Sequence, residues 1–246
     1  MLFYIITAVL IGNIISVLGA TVLLTLRNEL LTKLTREVNA FAGGILLGAA
    51  FIGMLPKAIE QAGSFVSYFV LAGILFFFLL EKLMLWRFCA DEHCDRHNKA
   101  GALMLMAGDS FHNLLDGIVI AAAFLQSISF GFVVAISVFA HELPQEIADF
   151  GVMIKAGISK RKAIIINIAS GFTAIIGAVF AWYFAVQTKV ALPYILAFSA
   201  SGFIYISLAD LIPQLHKKYG FRESAKQFLL ILSGLLVIFI AVYEKP

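Results

Sequence analysis

Apolar runs follow one another along the whole chain, separated by short polar stretches. Each run has about 18 residues or more, enough for a helix to cross about 30 Å of hydrocarbon. Eight runs can be drawn, centred near Val9, Leu47, Leu75, His112, His141, Ile175, Phe203 and Leu235. The pattern predicts an all-α integral membrane protein of eight transmembrane helices, one transmembrane domain over residues 1–246 with no stretch long enough for a separate soluble domain. An even number of spans puts both termini on one side. The first run starts at Met1 with no basic n-region and no small-residue cleavage pattern, so it is expected to stay as a span.

Two of the runs break the apolar rule. In the fourth, Asp109, His112, Asn113 and Asp116 stand at i, i+3, i+4 and i+7, one stripe on one helix face. In the fifth, His141, Gln145 and Asp149 form one row, and Glu142, Glu146 and Asp149 form the row beside it. A minimal turn near Gln126 to Ser129 joins the two runs into a hairpin. Pro144 has no N–H for the Ala140 carbonyl and is expected to kink the fifth helix beside His141.

Each ionised side chain at the centre of a span costs about 2.5 to 3.5 kcal/mol. No Lys or Arg falls between Lys99 and Lys155 to compensate for these acids, which leaves a cation as the neutraliser. Interhelical hydrogen bonds, at about 0.6 to 2 kcal/mol each, are too weak to explain so many charges as glue. Imidazole, carboxylate and amide donors together suit Zn²⁺, Fe²⁺, Mn²⁺, Co²⁺ or Cd²⁺. A set of oxygens alone would have pointed to Ca²⁺ or Mg²⁺. The absence of Cys from the cluster argues against Cu(I). Asp109 and Asp149, at the ends of their stripes, either line a path or sit at an interface. Met54 reads as packing.

The second and seventh spans look like copies. Ala40, Phe41, a small-residue patch and Pro56 correspond at one constant offset to Ala197, Phe198, a second small-residue patch and Pro213. Four spans intervene, which makes the copies antiparallel, so the expected architecture is an inverted-repeat bundle around the central hairpin of the fourth and fifth helices, the arrangement that places transporter sites near mid-membrane.

Composition agrees with this reading: of 246 residues, 61% are hydrophobic and 13% charged, a balance unlike that of a soluble domain. Of the 18 basic residues, only Lys57, Lys189 and Lys245 lie outside the connectors after spans one, three, five and seven and their flanks. By the positive-inside rule those connectors face the cytoplasm and both termini face outward. The net charge of +3 therefore reports topology and gives no sign of a nucleic-acid partner. Cys89 and Cys94 fall in the third connector, about residues 89–99, on the reducing side, where a structural disulfide is not expected. That connector also carries Asp91, Glu92, His93, Asp95 and His97, and reads either as a transient metal contact or as a solvated turn. His216 reads as interfacial. No nucleotide-binding loop is seen, and the minimal loops favour a plasma membrane or bacterial inner membrane.

HNLLDG (His112 to Gly117) followed by HELPQEIADFGVMIKAG (His141 to Gly157) resembles the paired signature of the ZIP family of divalent-metal transporters, usually written HNxxDG and HExPHExGD. The resemblance extends over nearly the whole chain. It implies a single transporter domain that takes Zn²⁺ into the cytoplasm as substrate, with Fe²⁺, Mn²⁺ and Cd²⁺ as further cargo. It also implies a transport unit moving against a scaffold, and a homodimer in the bilayer. Carried over by position, His112, Asp116, His141 and Gln145 form the primary metal site, and Asn113, Glu142 and Glu146 its neighbours. This chain departs from the pattern at Gln145, which stands in place of a His and should re-tune metal preference. Ala148 replaces a Gly, and Gly53 stands where relatives carry a His. The sixth span offers only Asn167, Ser170 and Thr173, so a tightly bound second metal is not expected. Two rival readings remain beside transport: an intramembrane zinc hydrolase, since HELPQ resembles the start of HExxH, and a divalent-cation channel built on the same residues.

Overall fold

The computed structural model describes residues 1–23, 28–88, 99–188, 190–215 and 220–243. Residues 89–98 of the metal-friendly connector, and His216, lie outside them. In chain order the helices are α1 (Leu2–Leu23), α2 (Asn28–Gly48), α3 (Leu55–Ala62), α4 (Val66–Phe88), α5 (Lys99–Gln126), α6 (Ile128–Lys155), α7 (Lys160–Gly171), α8 (Thr173–Gln187), α9 (Ala191–Tyr205), α10 (Ile212–Leu215) and α11 (Phe221–Tyr243). Ala49–Met54 links α2 to α3 as a wider π-helical turn, and Ile206–Leu211 links α9 to α10 in the same way. No strand occurs among the described residues.

Seven helical rods among the described residues are long and apolar enough to cross a membrane. The sequence leads to an expectation of eight, and the rod outside the count is α5. It is 28 residues long, but the stripe of Asp109, His112, Asn113 and Asp116 lowers its hydropathy.

The two π-helical turns occupy equivalent places in the sequence repeat, at the same offset that separates Ala40 from Ala197. Each is followed by a proline, Pro56 or Pro213, as the second residue of the next helix. A proline ring clashes with the carbonyl four residues before it and offers no N–H, and widening the preceding turn relieves both defects. The packing repeats as well. Exchanging α2 with α9, α4 with α11, α5 with α6 and α1 with α8 turns the α4–α9 contact into α11–α2, α5–α8 into α6–α1, and α5–α9 into α6–α2. All six contacts are present, as an inverted repeat requires.

α1, α5, α6, α7 and α8 pack mainly on one another, and the remaining helices form a second group that meets the first chiefly through α2–α6 and α5–α9, with smaller contacts of α11 on α6 and α9 on α8. The outward faces are apolar: Ile11, Ile15 and Leu18 on α1, Leu71, Leu75 and Leu79 on α4, and Leu229, Leu232 and Leu236 on α11 are all exposed. Such faces suit hydrocarbon as solvent. In lipid, helices associate by close packing and not by hiding apolar surface from water, so small residues decide where they meet. At the α5–α8 crossing a Cβ on Gly117 would lie 1.8 Å from the Ala174 carbonyl oxygen, and one on Gly177 would lie 1.9 Å from that of Leu114. This crossing holds the last residue of the HNLLDG run against α8. One polar pair ties each outer helix to its inner partner: Lys226 to Glu37 between α11 and α2, and Tyr205 to Glu81 between α9 and α4.

Candidate metal centre

Half-way along the central hairpin, α5 presents His112 and Asp116 one turn apart, and α6 presents His141 and Glu142 opposite them. One donor atom from each of the four lies within 4.8 Å of every other. His112 Nε2 stands 3.2 Å from His141 Nε2, 3.3 Å from Glu142 Oε1 and 3.6 Å from Asp116 Oδ2. His141 Nε2 stands 3.5 Å from Asp116 Oδ2 and 3.7 Å from Glu142 Oε1. Donors about 2.0 to 2.1 Å from a tetrahedral metal are separated by about 3.3 Å, and these five separations lie close to that edge length, with the Asp116–Glu142 edge within 4.8 Å.

The cluster is arranged for something placed between the four groups. Asp116, His141 and Glu142 are buried and His112 is partly exposed. Asp116 Oδ2 and Glu142 Oε1 accept no hydrogen bond, which in a buried carboxylate is costly unless a cation is at hand. His141 Nδ1 lies 3.3 Å from the Ser137 carbonyl. With that nitrogen donating, Nε2 keeps its lone pair for the cluster, the usual arrangement behind a metal-bound imidazole. Two ring nitrogens 3.2 Å apart repel unless a proton or a cation is shared between them.

Behind the four donors lies a hydrogen-bonded layer centred on Asp109. Its Oδ1 accepts from Gln145 Nε2 at 2.7 Å, and its Oδ2 accepts from Ser170 Oγ at 2.5 Å and Asn113 Nδ2 at 3.1 Å. Ser110 and Ser170 pair at 2.9 Å, and Thr173 donates to the Ser110 carbonyl at 2.5 Å. This layer joins α5, α6, α7 and α8. Asp109 thus sits at an interface between helices.

Two narrow cavities flank the centre. One is lined by His112 and Asp116 together with Phe77, Ser199 and Phe203, where α5 faces the second helix group. The other opens between α1, α5 and α6, with Asn13, Ser16, Asn113, Asp116, Glu142 and Glu146 in its wall. Asp116 borders both.

Of the seven residues singled out from the sequence, the structure brings His112, Asp116, His141 and Glu142 to one point. Asn113 and Gln145 are bonded to Asp109, and Glu146 is buried with Oε2 unpartnered. The fourth place that the resemblance gives to Gln145 is held by Glu142. Sequence reasoning passed over Asn13 and Ser16. Their i, i+3 spacing of polar side chains in an otherwise apolar run was the available signal. It also passed over Ser199, which looked like one more small residue of the repeat.

An all-α membrane protein with two imidazoles and two carboxylates converging between central helices belongs to the class of membrane metal-handling proteins. The profile described as ZIP zinc transporter matches residues 1–99 and 88–241, and the chain belongs to this family. It is 39% identical over 150 residues to zinc transporter foi of Drosophila melanogaster, covering 59% of this chain and 21% of that protein. Zinc transporter zipt-7.2 of Caenorhabditis elegans is 36% identical over 151 residues, covering 59% of this chain and 33% of that protein. Zinc transporter ZIP13 of Pongo abelii is 27% identical over 231 residues, covering 87% of this chain and 68% of that protein. The chain thus spans about a fifth to a third of the length of the first two relatives.

Proposed function

We propose that the chain transports divalent transition-metal ions across a membrane, with Zn²⁺ as its main cargo and uptake into the cytoplasm as its direction. The observation that carries this is the quartet of His112, Asp116, His141 and Glu142, whose two carboxylate oxygens have no other partner. The relatives named zinc transporters support zinc as the ion, and the donor set also admits Fe²⁺, Mn²⁺ and Cd²⁺. The ion sheds water onto the quartet between the two cavities. Asn113, Gln145 and Glu146 are the neighbours of that site, the first two bonded to Asp109 behind it. A hydrolase would need Glu142 free as a base beside a second His, whereas Glu142 Oε1 converges with the other three groups and Gln145 holds the second position. Outward termini, a homodimer, and a plasma or bacterial inner membrane belong to the same proposal, supported by the distribution of basic residues and the family resemblance.

The test is uptake of radioactive zinc into sealed vesicles carrying the purified chain, with His141→Ala alongside. The expected result is saturable uptake that the variant lacks. Metal binding without uptake, or equal uptake by the variant, overturns the proposal. Unitary currents in place of saturable uptake would turn the reading to a channel.

A further inference from the structure

Gln145 lies one turn beyond His141 in the same row of α6, a spacing that sets the two Cβ atoms about 5 to 6 Å apart and would let a free Gln145 side chain turn towards the same point. It is held elsewhere. Its Nε2 donates to Asp109 Oδ1 at 2.7 Å, while the other oxygen of the same carboxylate takes Ser170 Oγ and Asn113 Nδ2. Asp109 is 6% exposed, and none of these hydrogen bonds reaches the quartet. One buried charge on α5 therefore restrains side chains of α5, α6 and α7.

The restraint sets a coordination number. With Gln145 withheld, the centre offers two imidazole nitrogens and two carboxylate oxygens, a four-donor set that suits zinc. With Gln145 released, an additional neutral oxygen stands beside His141. Higher coordination with more oxygen favours Mn²⁺ over Zn²⁺. The geometry points to Asp109 as a specificity-determining positioning residue, which keeps the bound metal four-coordinate by holding the Gln145 amide away from it. This rests on the reading of the quartet as the metal site. It needs no assumption about whether bound metal is then transported.

The test uses the full chain, purified and loaded with Co²⁺, whose visible absorption is strong in four-coordinate sites and weak in five- or six-coordinate ones. Zn²⁺ and Mn²⁺ affinities are measured by competition. The wild-type chain should show the strong bands. Asp109→Ala should weaken them several-fold and lower the Zn²⁺-over-Mn²⁺ preference about 10-fold, the scale on which residues behind metal ligands act. Adding Gln145→Ala to that variant should bring the strong bands back. Asp109→Asn, which keeps an acceptor for Gln145, should stay close to wild type. Gln145→Glu gives a second route that leaves Asp109 in place: the two carboxylates repel, the new one turns to the metal, and the bands should weaken.

An unchanged spectrum and preference in Asp109→Ala overturns the inference. So does a double variant that still behaves like Asp109→Ala. Should Asp109→Ala fail to fold, strong bands and wild-type preference in Gln145→Glu overturn it equally. Vesicle uptake failing while the spectra follow this series counts against transport alone, and a wild-type chain that binds no Co²⁺ removes both conclusions.

Discussion

Neighbouring residues on a helix point about 100° apart, so His141 and Glu142 should face different ways. Their donor atoms nonetheless lie 3.7 Å from each other, because the longer Glu side chain can sweep around the helix to where the imidazole points. Row-by-row reading of the sequence misses this, since it groups residues by Cβ direction and not by the reach of the side chain. The family resemblance gives the fourth place to Gln145, and its position in the His141 row agrees with that. The competing pull of Asp109 comes from another helix and is invisible to spacing along α6. Two outcomes follow for single residues. His141→Ala removes one of four donors and should weaken Zn²⁺ binding by at least about 100-fold with helicity unchanged, measured by zinc titration and circular dichroism on the same sample. All four donors must be free of protons to bind metal, so Zn²⁺ affinity should fall as pH is lowered, with protons released on binding. A pH-independent affinity, read by calorimetry in two buffers of different ionisation heat, would count against a His and carboxylate donor set.

At the level of elements, the central hairpin, its two polar stripes and the repeat of α2 with α9 were all legible, because periodicity and prolines record them directly. The π-helical turns before Pro56 and Pro213 were not, since a widened turn is a backbone response that leaves no mark in composition. Nor was the break of the sixth run into α7 and α8 at Phe172. The role of Gly117 also emerges only from packing. Its family position reads as a motif letter, but in the structure it is a point where the α8 backbone leaves no room for a side chain on α5. Gly117→Ala would put a Cβ 1.8 Å from the Ala174 carbonyl oxygen, a backbone atom that cannot rotate aside. The helices must part, at a cost of about 1 to 3 kcal/mol. The expected result is a melting temperature lowered by several degrees in detergent, together with weaker zinc binding as His112 and Asp116 shift with α5. Gly151→Ala is the control, because a Cβ there meets nothing within 4 Å, and it should melt like the wild type. Equal melting of the two variants would remove the tight crossing from the account of the site.

For the whole molecule, the two helix groups matter more than any single rod. The quartet belongs to the group of α1, α5, α6, α7 and α8, while one of the two cavities beside it is lined by Phe77, Ser199 and Phe203 of the other group. Release of a metal through that cavity, where Phe203 is fully buried and Val119 nearly so, would require the groups to shift against each other. Locking the groups together should therefore stop transport and spare binding. Cysteines are introduced by Val119→Cys on α5 and Phe203→Cys on α9, which line the same cavity, and are oxidised after Cys89 and Cys94 have been replaced by Ser, with disulfide formation checked by titration of free thiols. The oxidised chain should bind Zn²⁺ with wild-type affinity, take up none into vesicles, and recover uptake on reduction. A static pore would behave differently, conducting in the oxidised state as well as the reduced one. Full uptake by fully cross-linked protein would mean that the ion travels inside one helix group, through the cavity that Asn13 and Ser16 share with Glu142 and Glu146, with the scaffold at rest.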